Sequence, residues 1–378
     1  MIQAMMLANS VRNRAMPKHT IGNSRQRSRT HNILLIVVLI TLLIISSCSN
    51  QKEPISILVA GGDCLLDRFN GVDRMDPRKD RRWDTLLKAV DGSNTFLFNL
   101  ETSIGQGGTP KDKRYVFQAP VESLYPIMKF PKPVAALANN HTMDYGPSGL
   151  IETIEALDKS RIAHVGAGRT EEEAWTETRI DCPGGTLSIL ACGFDNDESS
   201  YSDTFGAVIA PVDIKILKER VKECKKSSLA VVVMLHWGSE YDTAFTRSQQ
   251  FVARSLIDAG ADLLIGSGPH VLQGLEEYHN ALICYSLGNL VFDDLENNET
   301  SASLLVRMIL RPSNGGLQKE FMVAPLRTKQ VSVGPSCPSP DDARSIIEDI
   351  ALRSPYLNFQ IIKRSSIQNG IYWYLIRN

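Results

Sequence analysis

Six short segments concentrate the side chains able to hold metals or move protons. They are Gly61-Gly62-Asp63, Asn99-Leu100-Glu101, Asn139-Asn140-His141 with Asp144 and Gly146 beyond, His236-Trp237-Gly238-Ser239-Glu240-Tyr241, Gly266-Ser267-Gly268-Pro269-His270, and Ser286-Leu287-Gly288-Asn289. One Asp, one Glu, one Asn and two or three His among them offer mixed oxygen and imidazole ligands, a set that suits zinc, manganese or iron better than a thiolate-seeking metal. An ion held there acidifies a bound water, a pair of ions clamps the oxygens of a displacement, and a further histidine can protonate a leaving group. Taken singly, Asp63, Glu101 and Asn140 suit ordinary turns or caps, and one buried histidine suits a hydrogen-bonded structural role. Their coincidence is what points to a site. His164 and His279 lack that company and read as structural.

Each segment follows a short apolar run, and the runs predict strands at 55–60, 95–99, 133–138, 187–192, 229–235, 262–265 and 281–286. Amphipathic stretches at 83–90, 147–159, 212–226 and 246–259, the last closed by Gly260, predict helices between them. Strands alternating with helices make an α/β fold. In such a sheet the carboxyl ends of the strands share one edge, so loops far apart in the chain meet in one crevice. Beyond residue 300 the pattern changes to predicted strands at 304–311, 317–323 and 330–333 and a helix at 340–352, with few candidate catalytic groups. This tail reads as completing or covering the main domain. Other motifs fail on spacing. Gly166-Ala167-Gly168 lacks the third glycine of a dinucleotide fingerprint, Gly61-Gly62-Asp63 is not followed by Gly-Lys-Ser/Thr, and Gly266-Ser267-Gly268 is not a nucleophile elbow.

The chain has 378 residues, 43% hydrophobic and 22% charged, enough for a sizeable core. Its formal charge of −1 is unevenly spread, because the first fifty residues hold six basic and no acidic side chains. Without them, 35 basic residues face 42 acidic, a net charge of −7. A mildly acidic body lacks the concentrated basic surface that coats nucleic acid, so that class of partner is excluded. The basic stretch runs into an apolar segment at 33–45 and then Ser46-Ser47-Cys48, which resembles a lipobox. About thirteen apolar residues are short for a membrane span, which needs roughly 20. Residues 1–47 therefore read as a lipoprotein-type signal and Cys48 as the lipidated residue, placing the protein outside the cytoplasm on a membrane; an uncleaved signal anchor is the alternative. Either a later methionine such as Met16 is the true start, or the long basic region belongs to the signal. The other cysteines show no CxxC spacing, which excludes a zinc ribbon or thioredoxin motif.

Read in order, Gly62-Asp63, Asn99-Leu100-Glu101, Ala138-Asn139-Asn140-His141 with Asp144-Tyr145-Gly146, His236-Trp237-Gly238 with Glu240-Tyr241, and Gly266 to His270 with Gln273 and Glu276 resemble the CapA family, named for poly-γ-glutamate capsule synthesis. The segment Tyr285-Ser286-Leu287-Gly288-Asn289-Leu290-Val291-Phe292-Asp293 extends the likeness, which covers residues 55–293. The family is similar to calcineurin-like metallophosphatases. The resemblance therefore implies a metallophosphatase-like β-sandwich flanked by helices, four layers α/β/β/α, with one or two divalent ions (Mn, Zn or Fe) at the strand ends. It makes Asp63 a ligand of one metal, Glu101 a bridge, Asn140 and His236 ligands of a second, His270 a further ligand of the first, and His141 the acid or orienting group. Two positions depart from the phosphatase pattern, Leu65 and Gly268, each standing where a ligand histidine is usual. The centre then holds one ion, holds metals weakly, or draws on Glu240 or Glu276.

A basic-aromatic cluster, Lys113-Arg114-Tyr115, together with Glu240 and Asn289, supplies the expected substrate contacts. The expected organisation is a signal at 1–47, a linker at 48–54, a metallophosphatase-like domain at 55–300, and strands and a helix at 301–378 completing it. The expected function is a metal-dependent hydrolase of phosphoester or amide bonds in capsule or extracellular polymer synthesis. Its partners are then an anionic polymer or phosphorylated substrate, the membrane, and other capsule proteins. The alternative is a membrane-anchored factor on the same scaffold that binds, assembles or exports polymer without cutting it.

Overall fold

Parallel strands buried on both faces appear in sequence as unbroken apolar runs, and the runs at 55–60, 95–99, 187–192 and 229–235 form such strands. The computed structural model describes residues 55–67, 81–193, 206–292, 297–313, 315–328, 334–357 and 365–376. The apolar segment at 33–45, Cys48 and the expected strand at 330–333 lie outside the described residues. In chain order the strands are β1 (Ser56–Cys64), β2 (Thr95–Leu100), β3 (Ser103–Ile104), β4 (Gln118–Ala119), β5 (Pro133–Ala136), β6 (Ala163–Val165) and β7 (Ala167–Gly168). They continue with β8 (Thr178–Cys182), β9 (Gly185–Gly193), β10 (Val208–Ile209), β11 (Ala230–His236), β12 (Leu263–Ser267), β13 (Leu275–Tyr278) and β14 (Ala281–Cys284). The last are β15 (Asn289–Val291), β16 (Ala302–Ser313), β17 (Gly316–Arg327), β18 (Ser365–Gln368) and β19 (Ile371–Ile376).

Two large sheets dominate. One runs β18-β19-β17-β16-β1-β2-β5-β6 with β15 also paired to β1, and the other runs β13-β14-β12-β11-β9-β8. The functional strands β1, β2, β5 and β6 are parallel in the first sheet, as are β9, β11, β12 and β14 in the second. Antiparallel β16 lies directly beside β1, so the segment after residue 300 is built into the first sheet.

Three apolar layers show that the sheets pack face to face with helices outside. Leu58, Leu97 and Val134 of the first sheet meet Ile189, Val232 and Ile265 of the second in the central layer. The other face of the first sheet, with Val59, Phe96 and Phe98, is covered by Leu86 of the helix Asp84–Ala89 and by Leu150, Ile154 and Leu157 of the helix Gly146–Lys159. Val231, Val233 and Leu264 pack under the helices Ile214–Lys225 and Arg247–Ala259 through Leu217, Val221, Ala253 and Leu256. This is the expected α/β/β/α sandwich, and each buried Leu, Ile, Val or Phe contributes about 1.5–3 kcal/mol. Among the described residues no helix is long and apolar enough to cross a membrane.

Sequence patterns miss the edge strands. β8 and β13 close the two ends of the second sheet and carry Arg179, Asp181, Glu276 and Glu277 in place of an apolar run. Edge strands tolerate or favour such charges because they discourage pairing with another chain. Gly166-Ala167-Gly168, read as a turn, contains the two-residue strand β7, which pairs with β10. The six described cysteines are free, and Cys192 and Cys284 are fully buried, as their apolar surroundings predict.

Candidate metal centre

Strand register delivers the site. Asp63, near the end of β1, lies between Asn99 of β2 and Asn289 of β15 as their pairing partner. Glu101 follows β2, Asn139-Asn140-His141 follow β5, His236 ends β11, and Gly268-Pro269-His270 follow β12. Asp63 and Glu101 are fully buried at 0% exposure, and His141, His236 and His270 are only 7–8% exposed. Loops from two sheets thus converge in one narrow crevice, and the five strand-end segments carrying Asp63, Glu101, His141, His236 and His270 meet there.

One atom organises the crevice. Glu101 Oε1 is buried without a hydrogen-bond partner. The Nε2 atoms of His236, His270 and His141 stand 3.9, 3.9 and 4.0 Å from it. A buried carboxylate oxygen left unpaired costs about 1–3 kcal/mol or more, so its place amid imidazole nitrogens fits a cation. Ligand atoms each about 2.0–2.2 Å from one ion are separated from one another by about 3–4 Å, and each imidazole stands at such a distance from Glu101 Oε1. Single ligand atoms of Asp63, Glu101 and His270 also lie within 4.8 Å of one another, a group that can hold a metal ion.

The imidazoles are oriented from behind. Asn289 donates through Nδ2 to the carbonyls of His270 and Thr300, which fixes its amide and leaves Oδ1 to accept from His270 Nδ1 at 3.0 Å. Nε2 of His270 then faces Glu101 and is the nitrogen open to an ion once its proton has left. Asn289 is fully buried. Expected to touch substrate, it instead spends its amide on holding His270. His141 Nδ1 lies 2.8 Å from Asp144 Oδ2, which also accepts the Phe117 N–H. His236 Nδ1 stands 3.2 Å from Asn99 Nδ2 and 3.3 Å from Ser267 Oγ. Partners of this kind set tautomer and ring angle in metal sites.

Asp63 is tied down on both oxygens. Oδ1 accepts from Asn99 Nδ2 at 2.8 Å, and Oδ2 from the Gly268 N–H at 3.1 Å with His270 Nδ1 3.4 Å away. Burial alone would raise its carboxyl, but the hydrogen bond and charge of His270 prevail and hold it below the ordinary value. Burial, reinforced by Asp63, pushes Glu101 well above the usual range. For His270 burial opposes the charged form, yet Glu101 and Asp63 outweigh it and lift the imidazole to about 10. Burial takes His236 down to about 4 despite Asp63. The metal-free centre therefore stores a proton on His270 in the position a cation's charge would occupy.

The two departures from the phosphatase pattern leave no gap for another carboxylate to fill. Leu65 is buried at 2% exposure. A Cβ at Gly268 would stand 3.1 Å from His236 Nε2, and the residue sits at φ +105. The His236 ring occupies the space a residue-268 side chain would need. Glu276 is committed to Arg254, Gln250 and the Tyr285 hydroxyl, which corrects the expectation that it completes the shell, whereas Glu240 is exposed with its charge acting on Glu101. Gly268→Ala should lower stability by about 1–3 kcal/mol through strain at positive φ and displace His236. Denaturant unfolding with and without added zinc measures both effects.

Asn140 is half-buried, with its Oδ1 buried and unpartnered, as a ligand oxygen awaiting a cation would be. The Lys113 ammonium pairs with buried Asp144 and donates to the Asn140 carbonyl at 2.7 Å. It holds the His141 side of the crevice, whereas it was expected to meet substrate. Arg114 lies over the Tyr115 ring at 5.0 Å, and both are exposed. The rings continue inward from Tyr115 to Phe117 to His141 at 6.4 and 4.5 Å. Across the mouth, Tyr241 is 62% exposed at φ +64, with its ring 6.1 Å from His270. Roles for Asn99, Asp144 and Ser267 were not read from sequence. Asn99 was within reach, since residues i and i+2 on a strand share a face and Glu101 is two residues on.

A family model described as Bacterial capsule synthesis protein PGA_cap matches residues 57–294. The chain is 28% identical over 349 residues to the PGA biosynthesis protein CapA of Bacillus subtilis (strain 168), covering 88% of this chain and 90% of that protein. It is 32% identical over 229 residues to the Capsule biosynthesis protein CapA of Bacillus anthracis, covering 59% of this chain and 54% of that one. Among solved structures, a 5'-nucleotidase precursor from Thermus thermophilus aligns over 79% of this chain and 58% of its own, at 15% identity and a TM-score of 0.39. The family match spans every segment that builds the crevice, from Asp63 to Asn289, and the chain belongs to the bacterial capsule synthesis PGA_cap family.

Proposed function

We propose that this protein acts in the synthesis of a capsule or other extracellular polymer as a metal-dependent hydrolase of phosphoester or amide bonds. The observation that carries the reading is Glu101 Oε1, buried and unpartnered, with three imidazole nitrogens 3.9–4.0 Å away. The names of the Bacillus relatives support the polymer context. Asp63, Glu101 and His270, with His236 and Asn140 at the edge, would hold manganese, zinc or iron, which suit oxygen and imidazole donors. When bound, such an ion supplies Lewis acidity and a water acidified toward neutral pH. The chain's own residues keep the reacting region dry, since the carboxylates are fully buried and the imidazoles nearly so. Asn289 and Asn99 fix ring angles, and Arg114, Tyr115, Glu240 and Tyr241 border the entrance where an anionic polymer or phosphorylated group would lie.

On the same reading the domain works outside the cytoplasm, tethered to the membrane by lipid on Cys48 and beside other capsule proteins. Cys48→Ser should release the protein from membranes if this is so; unchanged fractionation and an unmodified Cys48 by mass spectrometry would remove the anchor.

Elemental analysis of the full-length chain, paired with a phosphoesterase and peptidase screen, tests the centre. Bound metal and hydrolysis that both disappear in Asp63→Ala and His270→Ala are expected. If these variants keep metal and every detectable activity, the catalytic reading is wrong. The exposed Arg114–Tyr115 pair favours a second reading, a polymer-binding or assembly factor. That reading predicts polyanion binding that survives both substitutions, and loss of binding on Arg114→Ala with Tyr115→Ala.

A further inference from the structure

We infer that a cavity beside the mouth of the crevice is a second binding site, which takes a carboxylate-bearing unit of the polymer chain. The inference rests on the polymer context proposed above and not on hydrolysis. The cavity measures about 350 Å³, and its wall includes Thr243, Phe245, Arg247, Gln250, Arg353 and Tyr356. That volume suits one small unit of a chain, at the lower end of the about 300–1,000 Å³ of ordinary ligand sites. Tyr241, whose ring is 6.1 Å from that of His270, stands two residues before Thr243. The wall therefore begins within about 7 Å of the mouth. Gln273 donates to the Asp242 and Ala244 carbonyls at 2.8 and 3.2 Å and fixes the stretch between.

The walls are held rigid from beneath. The Phe245 ring lies flat on Tyr285, 3.8 Å between centroids and 6° between planes. The Tyr285 hydroxyl donates to Glu276, a carboxylate only 1% exposed, which also accepts from Gln250 and Arg254. The Arg254 guanidinium in turn lies over the rings of Tyr356 and Tyr278, 5.1 Å from each. Tyr356 is thereby set in place while 53% exposed. Aromatic faces fixed before a ligand arrives bind an apolar stem at little ordering cost. Arg247 supplies the charge. Arg353 is committed to Asp349 at 2.6 Å and to the Leu272 carbonyl at 2.7 Å, whereas exposed Arg247 has no hydrogen bond or ion pair among the described residues. A guanidinium matches a carboxylate through two parallel hydrogen bonds. A body of net charge −7 outside its first fifty residues repels a polyanion overall, so a free cation beside the mouth is what would hold one.

The experiment uses the full-length chain in detergent and a fluorescently labelled oligomer of γ-linked glutamate. Arg247→Ala should weaken binding about 10–100-fold, the range for a contact to a charged group. Tyr356→Ala should weaken it about 3–10-fold. Metal content should stay at the parent's level in both. Hydrogen exchange should show residues 243–250 and 353–357 protected by the oligomer in the parent and unprotected in Arg247→Ala. Should Tyr356→Ala fail to fold, Arg247→Ala and exchange on the parent decide. Parent-like affinity in the variants, or protection confined to the crevice loops, overturns the cavity and leaves the proposed function as it was. Tighter binding of inorganic polyphosphate than of the oligomer at these residues overturns the carboxylate assignment. A parent that binds no oligomer overturns the inference, and the hydrolysis screen then decides the hydrolase reading separately.

Discussion

Replacing Glu101 with glutamine should weaken metal retention about 100-fold and remove most of the stabilisation that added metal gives the parent. A ligand present at a thousandfold excess over its dissociation constant stabilises the folded state by about 4 kcal/mol. If the substitution weakens binding about 100-fold, the same metal concentration contributes only about 1.4 kcal/mol. The expected size follows from position. Glu101 Oε1 has no protein partner, and the three histidines face it from separate loops. Glutamine keeps the shape and removes the charge that offsets a divalent cation. Thermal melts of parent and Glu101→Gln, with and without zinc or manganese, measure the effect. Equal upward shifts in both proteins would show that the carboxylate is not a ligand.

Metal affinity should rise steeply with pH, by about tenfold per unit from roughly pH 6 to 9, because each ion displaces a proton. Burial disfavours the His270 imidazolium, but Glu101 and Asp63 outweigh burial and hold it up to about 10. At neutral pH the metal-free centre therefore keeps that proton, and a cation must expel it. The sign for stability is the reverse. A group whose folded-state pKa lies above its ordinary value of about 6.5 stabilises fully below that value. Its contribution then drains as pH climbs toward about 10, by up to about 1.4 kcal/mol per unit. Metal-free protein should lose stability across this alkaline window, while metal-loaded protein, already without the proton, should not. Calorimetry in two buffers of different ionisation enthalpy reads the proton count, and zero protons released at pH 7.5 would contradict the charge state of His270.

The alternation of apolar runs and amphipathic stretches was sufficient to place most strands and helices that frame the crevice. The helix at 340–352 agrees to the residue with Pro340–Leu352, because proline at its start and serine as cap are local signals. The helix ending at Ala259 is equally legible, through the Thr246–Gln249 capping box and Gly260 at φ +119. Edge strands β8 and β13 were not legible, since their charged residues carry no burial signal. The same division runs through the site. Asp63, Glu101, Asn140, His236 and His270 announce themselves by type and by place at strand ends, and so does His141.

What the chain's own order of residues determined is the ligand inventory, the α/β alternation and the family. Which ligand faces which was decided only by the folded state. Lys113 looks like a substrate contact in a basic loop and becomes the partner of buried Asp144; Asn289 looks the same and becomes the clamp on His270. Gly268 looks like a missing ligand, yet the space beside it belongs to His236. Local propensities and side-chain chemistry are properties of neighbours along the chain. Distances such as the 3.9–4.0 Å between Glu101 and three histidines depend on register across two sheets, where strands more than a hundred residues apart are set side by side by packing.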